Sequence, residues 1–318
     1  MLRRITNFDK LRVMKFFSCL LAVLFSSLAF AEKKAGESNL PPDPFSELGE
    51  IVSAPDYPVE VDRTRGSFVI NAEEGKYQPG SHFANWFWTM KAERWGNYFV
   101  GLLYESSRPK LGIQVKIGEE VLKSYASRTS KRSMHEPMIL GTVYMPKPGD
   151  YPVMMLTGDQ SNVPAFQVKG LKFIPAPENE ILGQSIDGGI VLEAKTATTY
   201  SEMMRYEPKP EKNCLGFWIH QEDWAEWIFD VSTAGEFDVT VTYGCGNGNE
   251  GSEVAIFVND QTRKFTVEDT GGFQSWKEIT LEKVKLGVEG KNKIAIIPQS
   301  KAKKAVMDIQ KIVLTPAS

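Results

Sequence analysis

The stretch Glu222-Asp223-Trp224-Ala225-Glu226-Trp227-Ile228-Phe229-Asp230-Val231, followed by Ala234-Gly235-Glu236-Phe237-Asp238-Val239-Thr240-Val241-Thr242-Tyr243, decides the fold. In the second run Phe237, Val239, Val241 and Tyr243 alternate with Asp238, Thr240 and Thr242, the period-2 pattern of a strand with one buried side. Gly235 marks the turn between the runs, so the pair reads as two successive strands. Trp224 and Trp227 lie three apart and so face opposite sides of their strand. At most one of those sides is expected in the core, and Trp224 is assigned there.

The same alternation runs outward in both directions. Leu111, Ile113, Val115 and Ile117 alternate with Gly112, Gln114 and Lys116, and short strands follow at 151–156, 166–173, 253–258, 293–297 and 307–314. Pro148-Gly149-Asp150 and Asn259-Asp260 supply turns, and no long 3.6-residue apolar period competes. Two prolines and charges at Pro175-Ala176-Pro177-Glu178 break the pattern. The expected fold is all-β, with two tandem antiparallel β-sandwiches at 59–176 and 182–318. The halves also read as diverged copies. Trp95-Gly96-Asn97-Tyr98-Phe99-Val100 parallels Ala234-Gly235-Glu236-Phe237-Asp238-Val239, and Phe166 to Phe173 parallels Met307 to Leu314.

Four motifs stand in order in the second half: Val191-Leu192-Glu193-Ala194-Lys195, the Trp-Ala-Glu-Trp strand with its partner, Thr270-Gly271-Gly272-Phe273-Gln274-Ser275-Trp276, and Met307-Asp308-Ile309. Together they resemble family 6 and family 35 carbohydrate-binding modules, galactose-binding-like jelly rolls, from about Ile186 to Pro316. The first half resembles the same superfamily more distantly, like the uncharacterised sandwiches that accompany secreted sugar hydrolases and sulfatases. The resemblance implies a non-catalytic protein that docks glycan. A sugar presents an apolar C–H face to an aromatic ring and hydroxyls to a few fixed polar groups. Phe273, Trp276 and Trp218 are the platform candidates, with Gln221, Glu222 and Gln274 near enough in sequence to hydrogen-bond. Trp276 divides evenly between core and platform, and Trp86, Trp88 and Trp95 are assigned to the core of the first sandwich.

Val306 stands where the family commonly has a sugar-contacting Asn, which puts its usual loop-end cleft in doubt. The resemblance also implies a structural calcium held by acids of the first and last strands. Glu193 and Asp308 match two of these, but Lys195 replaces the third, so either a calcium ion or a Lys195 salt bridge neutralises the carboxylates. Asn71 and Gln167 at the matching places of the first half lack the charge for a metal.

At the N-terminus, Arg3, Arg4, Lys10, Arg12 and Lys15 precede an apolar run to Phe30 that ends in Ala29-Phe30-Ala31, which reads as a signal peptide cleaved after Ala31, since the lipoprotein alternative would need a cysteine at the end of the run and Cys19 stands near its start. The run is shorter than the roughly 20 apolar residues that span a bilayer, so no stable membrane insertion is expected after cleavage. Residues 32–58 are rich in Pro, Glu, Ser and Ala and read as a flexible tether in a secreted or periplasmic protein. Of the 3 cysteines, Cys214 and Cys245 remain after cleavage and offer either one disulfide or two buried thiols.

With 318 residues, 42% hydrophobic and a formal charge of -3, the chain is of ordinary globular composition and gives no reason to expect nucleic acid as a partner. The Lys301, Lys303, Lys304 cluster reads as a solvated loop. The 3 histidines, His82, His135 and His220, form no metal motif, and no nucleophile elbow or phosphate loop occurs. Glu73-Glu74 and Glu222-Asp223 read as solvated strand ends. The alternatives to glycan docking are a structural or protein-interaction module with an envelope protein partner, and an unrecognised polysaccharide-active hydrolase.

Overall fold

The computed structural model describes residues 57–79, 84–129, 137–158, 166–288 and 290–317. The expected signal peptide and the tether up to residue 56 lie outside these, as do His82, Phe83 and His135.

The first half folds as β1 (Phe68–Asn71), β2 (Lys76–Pro79), β3 (Ala84–Ala92), β4 (Gly96–Ser106), β5 (Leu111–Ile117), β6 (Glu120–Ala126), β7 (Met138–Met145), β8 (Gly149–Thr157) and β9 (Phe166–Pro175). The second half continues with β10 (Ile190–Glu193), β11 (Thr198–Tyr200), β12 (Arg205–Glu207), β13 (Cys214–Gly216), β14 (Trp224–Phe229), β15 (Gly235–Cys245), β16 (Glu253–Val258), β17 (Gln261–Thr266), β18 (Gly272–Leu286), β19 (Asn292–Ser300) and β20 (Asp308–Pro316). Short 3-10 turns follow β1 and β10. The fold is all-β and antiparallel. In the first half a sheet ordered β1-β9-β4-β7 faces one ordered β2-β3-β8-β5-β6. In the second, β10 and β13 both border β20, which continues through β15 to β18, opposite β11-β14-β19-β16-β17. Apart from the inserted hairpin β12–β13, the two strand orders are the same.

Each sandwich closes over its own apolar layer. Val100, Leu102, Val115, Met155, Leu171 and Phe173 are fully enclosed in the first, and Val239, Val241, Tyr243, Ile294, Ile296 and Ile312 in the second. Such side chains contribute about 1.5–3 kcal/mol each on burial.

Both tryptophans of the opening stretch are buried, which corrects the one-face expectation. Trp227 enters the inter-sheet core and donates through Nε1 to Glu193 O (2.9 Å). Trp224 lies on the outer face of the same sheet with Tyr200, Ala255, Phe257, Ala295 and Ile297, and a strap of residues 57–66 covers it. Tyr57 packs on Trp224 and Phe257, and Val59 and Val61 lie over the same face. A sheet covered on both sides needs continuous apolar runs, which is why Ala255-Ile256-Phe257-Val258 and Ile294-Ala295-Ile296-Ile297 do not alternate with polar residues.

The strap carries charge inward. Arg63 Nη2 meets Glu226 Oε1 at 3.1 Å, the Tyr57 hydroxyl also donates to Glu226 Oε1, and the guanidinium lies 5.2 Å from the Trp224 ring. Arg65 Nε donates to Asp223 Oδ1 at 2.6 Å. Asp223 is therefore enclosed, not a solvated strand end as the sequence suggested; Glu222 beside it is exposed. Gly66, at φ +78°, allows the close pass, since a Cβ there would stand 1.9 Å from Ser201 O.

In the first sandwich Trp88 is buried and Trp86 packs beside its core, but Trp95 leaves it. Its indole Nε1 donates to Tyr206 O (3.0 Å) in the second sandwich. The cysteines are two free buried thiols, without a disulfide. The strands β13 and β15 that carry them flank β20 on opposite sides, and two inter-strand steps of about 4.8 Å exceed the roughly 7 Å Cα separation that a disulfide tolerates.

Candidate functional site

Loops at 217–223, 246–252, 267–271 and 301–307 meet at one end of the second sandwich. Val306 N donates to Trp218 O (2.8 Å), Ala305 N to Asn249 Oδ1 (3.2 Å), Thr270 N to Cys245 O (3.1 Å) and Lys301 N to Gln221 Oε1 (3.1 Å).

Along the β15–β18 ladder, Tyr243 faces Lys277 and Cys245 faces Gly272. Four residues, Phe273 to Trp276, therefore stand opposite Gly244 alone, an irregularity that pushes them out of the ladder. The Phe273 ring rests against Gly246: a Cβ at Gly246 would come within 2.7 Å of it, and one at Gly244 within 2.2 Å of Phe273 O. The Gly244-Cys245-Gly246 spacing is thus what seats this ring. Phe273 and Trp276 are both half-buried.

The other site residues predicted from sequence do not all converge on this bulge. Trp218 is only 1% exposed and donates through Nε1 to Asp223 O, so it supports the loop from beneath and offers no stacking face. Gln221 is spent on the 299–301 loop, with Nε2 to Gln299 O at 3.3 Å. Glu222 lies near Arg65, on the strap side. Gln274 turns its amide to Asp308, Nε2 to Oδ2 2.9 Å.

Asp308 is the electrostatic centre beneath the bulge. Pairing of Glu207 with Cys214 in the β12–β13 hairpin sets these two beside it, and the three ligand atoms lie within 4.8 Å of one another. Burial above all, and then the Glu207 carboxylate, push Asp308 up to about 7. Burial raises the Cys214 thiol far above its ordinary value, with the Asp308 charge adding to the effect. Lys212 Nζ neutralises Glu207 at 2.6 Å.

This donor set does not suit calcium. Glu193 stays apart from the cluster and is closed by Lys195 Nζ at 2.7 Å, Asp308 is engaged by Gln274 and Cys214, and a thiol is a poor ligand for an ion that takes six to eight oxygens.

Sequence reasoning missed Phe217 and Arg205. Phe217 is exposed at φ +59°, in edge contact with Trp95 (5.5 Å), and the Arg205 guanidinium lies 3.4 Å from its centroid. An aromatic residue in the left-handed region leaves no mark in the sequence; the neighbouring Gly216 was the available sign of a tight turn.

No protein-family model matches the chain, and no curated protein matches it in sequence. Similar solved structures include a family 35 carbohydrate-binding module from Clostridium thermocellum, at 16% identity over 41% of this chain and 98% of that one, with a TM-score of 0.34. A β-(1,4)-mannanase of Podospora anserina with a family 35 carbohydrate-binding module is similar at 17% identity over 42% of this chain and 28% of that one, TM-score 0.31. A Paenibacillus xanthan lyase is similar at 12% identity over 80% of this chain and 25% of that one, TM-score 0.33. The chain spans about a quarter of the mannanase and of the lyase. About two fifths of it is similar in fold to family 6 and family 35 carbohydrate-binding modules.

Proposed function

We propose that this is a secreted, non-catalytic carbohydrate-binding protein whose second sandwich docks glycan at the Phe273–Trp276 bulge, without calcium. The observation that carries this reading is the half-buried Phe273, its ring fixed against Gly246 at the end where the loops meet. A rigid, half-buried ring suits the C–H face of a sugar, and the exposed Ser275 supplies a polar edge beside it. Export rests on the N-terminal run with cleavage after Ala31, and the sandwiches are taken as the units 59–176 and 182–318.

The amides of Gln221 and Gln274 are already engaged within the protein, which favours a second reading, a structural or protein-interaction module. Affinity electrophoresis through gels cast with individual polysaccharides separates the two. Glycan docking predicts retardation of the native chain in at least one gel, weakened roughly tenfold by Phe273→Ala, as loss of one stacked ring implies, and unchanged by Val191→Ala on the far edge strand. Retardation equal in native and Phe273→Ala proteins removes the bulge as the site; retardation in none of the gels favours the second reading.

A further inference from the structure

The β12–β13 hairpin has no counterpart in the first sandwich, and its ladder to β20 consists of one residue pair, Leu215 with Ile309. Three of its polar contacts to β20 converge instead on one spot. Glu207 and Cys214 stand opposite each other in the hairpin and so share a face, the one that meets Asp308 at the start of β20. Cys214 is fully enclosed, and Glu207 and Asp308 are 6% and 5% exposed. One oxygen of each carboxylate is held within the protein. Lys212 Nζ lies 2.6 Å from Glu207 Oε1, and Asp308 Oδ2 accepts from Gln274 Nε2 at 2.9 Å, with Cys214 Sγ 3.7 Å away. The other two oxygens, Glu207 Oε2 and Asp308 Oδ1, accept no hydrogen bond among the described residues. Both turn toward Gly216: a Cβ there would stand 2.3 Å from Glu207 Oε2 and 3.4 Å from Asp308 Oδ1. Glycine at this position is what lets the two carboxylates approach each other.

A carboxylate oxygen left without a donor in so enclosed a place is costly, and two of them beside a thiol form a donor set. Lys212 pairs with Glu207 and Arg205 attracts the same carboxylate from further off, whereas Asp308 has no cation within ion-pair distance among the described residues. The geometry suits a metal ion. One ligand atom from each of the three side chains lies within 4.8 Å of the other two, so a single point stands no more than about 2.8 Å from all three. Zinc takes sulfur at roughly 2.3 Å and carboxylate oxygen at roughly 2.0–2.2 Å, an inward movement of less than about 1 Å. The Sγ to Oδ2 separation of 3.7 Å is already close to the ~3.5 Å between sulfur and oxygen on one tetrahedral zinc. A thiolate with two carboxylates fits this borderline-soft ion, while calcium and magnesium are bound by oxygen.

We propose that Glu207, Cys214 and Asp308 hold one zinc ion, with water as its fourth ligand, and that the ion pins the β12–β13 hairpin to β20. Binding displaces the protons that the thiol and the Asp308 carboxyl hold in the metal-free chain, as metal uptake does generally. The site stands apart from the glycan reading, and its test uses no sugar. The full chain, stripped with chelator and then freed of it, is titrated with zinc and, separately, with cobalt. The expected result is uptake of one zinc per chain with a rise in Tm that saturates at that ratio, and with cobalt a thiolate-to-metal charge-transfer band beside the intense visible bands of a tetrahedral ion. Cys214→Ser should abolish that band and weaken zinc uptake at least about a hundredfold, more than loss of a ligand's own hydrogen-bond partner costs. Cys245→Ser, with its thiol on the other side of β20, should keep both. X-ray absorption of the native chain carrying one zinc should show one sulfur at about 2.3 Å among oxygens, a readout that survives if the variants fail to fold. Absence of stoichiometric uptake, a band undiminished in folded Cys214→Ser, or a zinc shell without sulfur would each overturn the proposal and leave the cluster as a closed network of thiol, carboxyl and amide.

Discussion

Asp308 holds its proton to about pH 7 in the folded chain, while an unperturbed aspartate releases it near 3.8. Below about pH 4 both states are protonated, so the contribution to stability is complete there. Between about pH 4 and 7 only the folded state keeps the proton, and stability falls as pH rises; above about 7 the dependence levels off. Asp308→Asn removes the titration and should flatten this part of the profile relative to the native chain, as read from urea midpoints at pH 4.5, 6 and 8. An unchanged difference between the two proteins across that range would contradict the assignment. At Glu226, whose side chain is fully enclosed, Arg63→Met leaves a buried carboxylate without its cation. The expected loss is about 3–5 kcal/mol in chemical denaturation, the usual cost of orphaning one partner of a buried pair; a loss below about 1 kcal/mol would place the strap's weight elsewhere.

At the scale of elements, the strands were legible because alternation is a local signal: 111–117 and 253–258 are strands with those same limits. What covers a strand is not local. Trp224 and Trp227 share one strand, and only the strap, more than 150 residues earlier in sequence, explains why both faces are dry. The Phe273–Trp276 bulge was legible as a Gly-Gly loop, but the seating of its ring depends on Gly244 and Gly246 in the neighbouring strand. Trp218 was misplaced for the same reason: its sequence neighbours Phe217 and Ile219 are exposed, and the partner that holds its indole is a backbone carbonyl of the next turn. Gly246→Ala puts a methyl group into the Phe273 ring and should weaken glycan retardation while leaving the core intact, with little change in near-ultraviolet circular dichroism from the buried tryptophans.

For the whole molecule, the two sandwiches are joined by more than their linker. The strap leads into the first sandwich yet lies on the second, and Arg94 and Trp95 of the first insert their side chains against the backbone of the second. A fragment of residues 178–318 would bare Trp224, Tyr200 and Phe257 and leave Glu226 and Asp223 uncompensated, an apolar patch rimmed by buried charge. It should be far less soluble and melt at least about 10 °C below residues 57–318; equal melting would show that each sandwich is self-sufficient. Calcium should leave the melting of the full chain unchanged relative to chelator, because Lys195 already answers Glu193.

The central claim, glycan docking at the bulge of the second sandwich, is tested most directly on a glycan array probed with the native chain and its Phe273→Ala variant in parallel. The account predicts a restricted set of glycans bound by the native protein, with signal lost from those same glycans in the variant while its fold is retained. Binding of no glycan by the native protein, or an identical pattern in both, would contradict it.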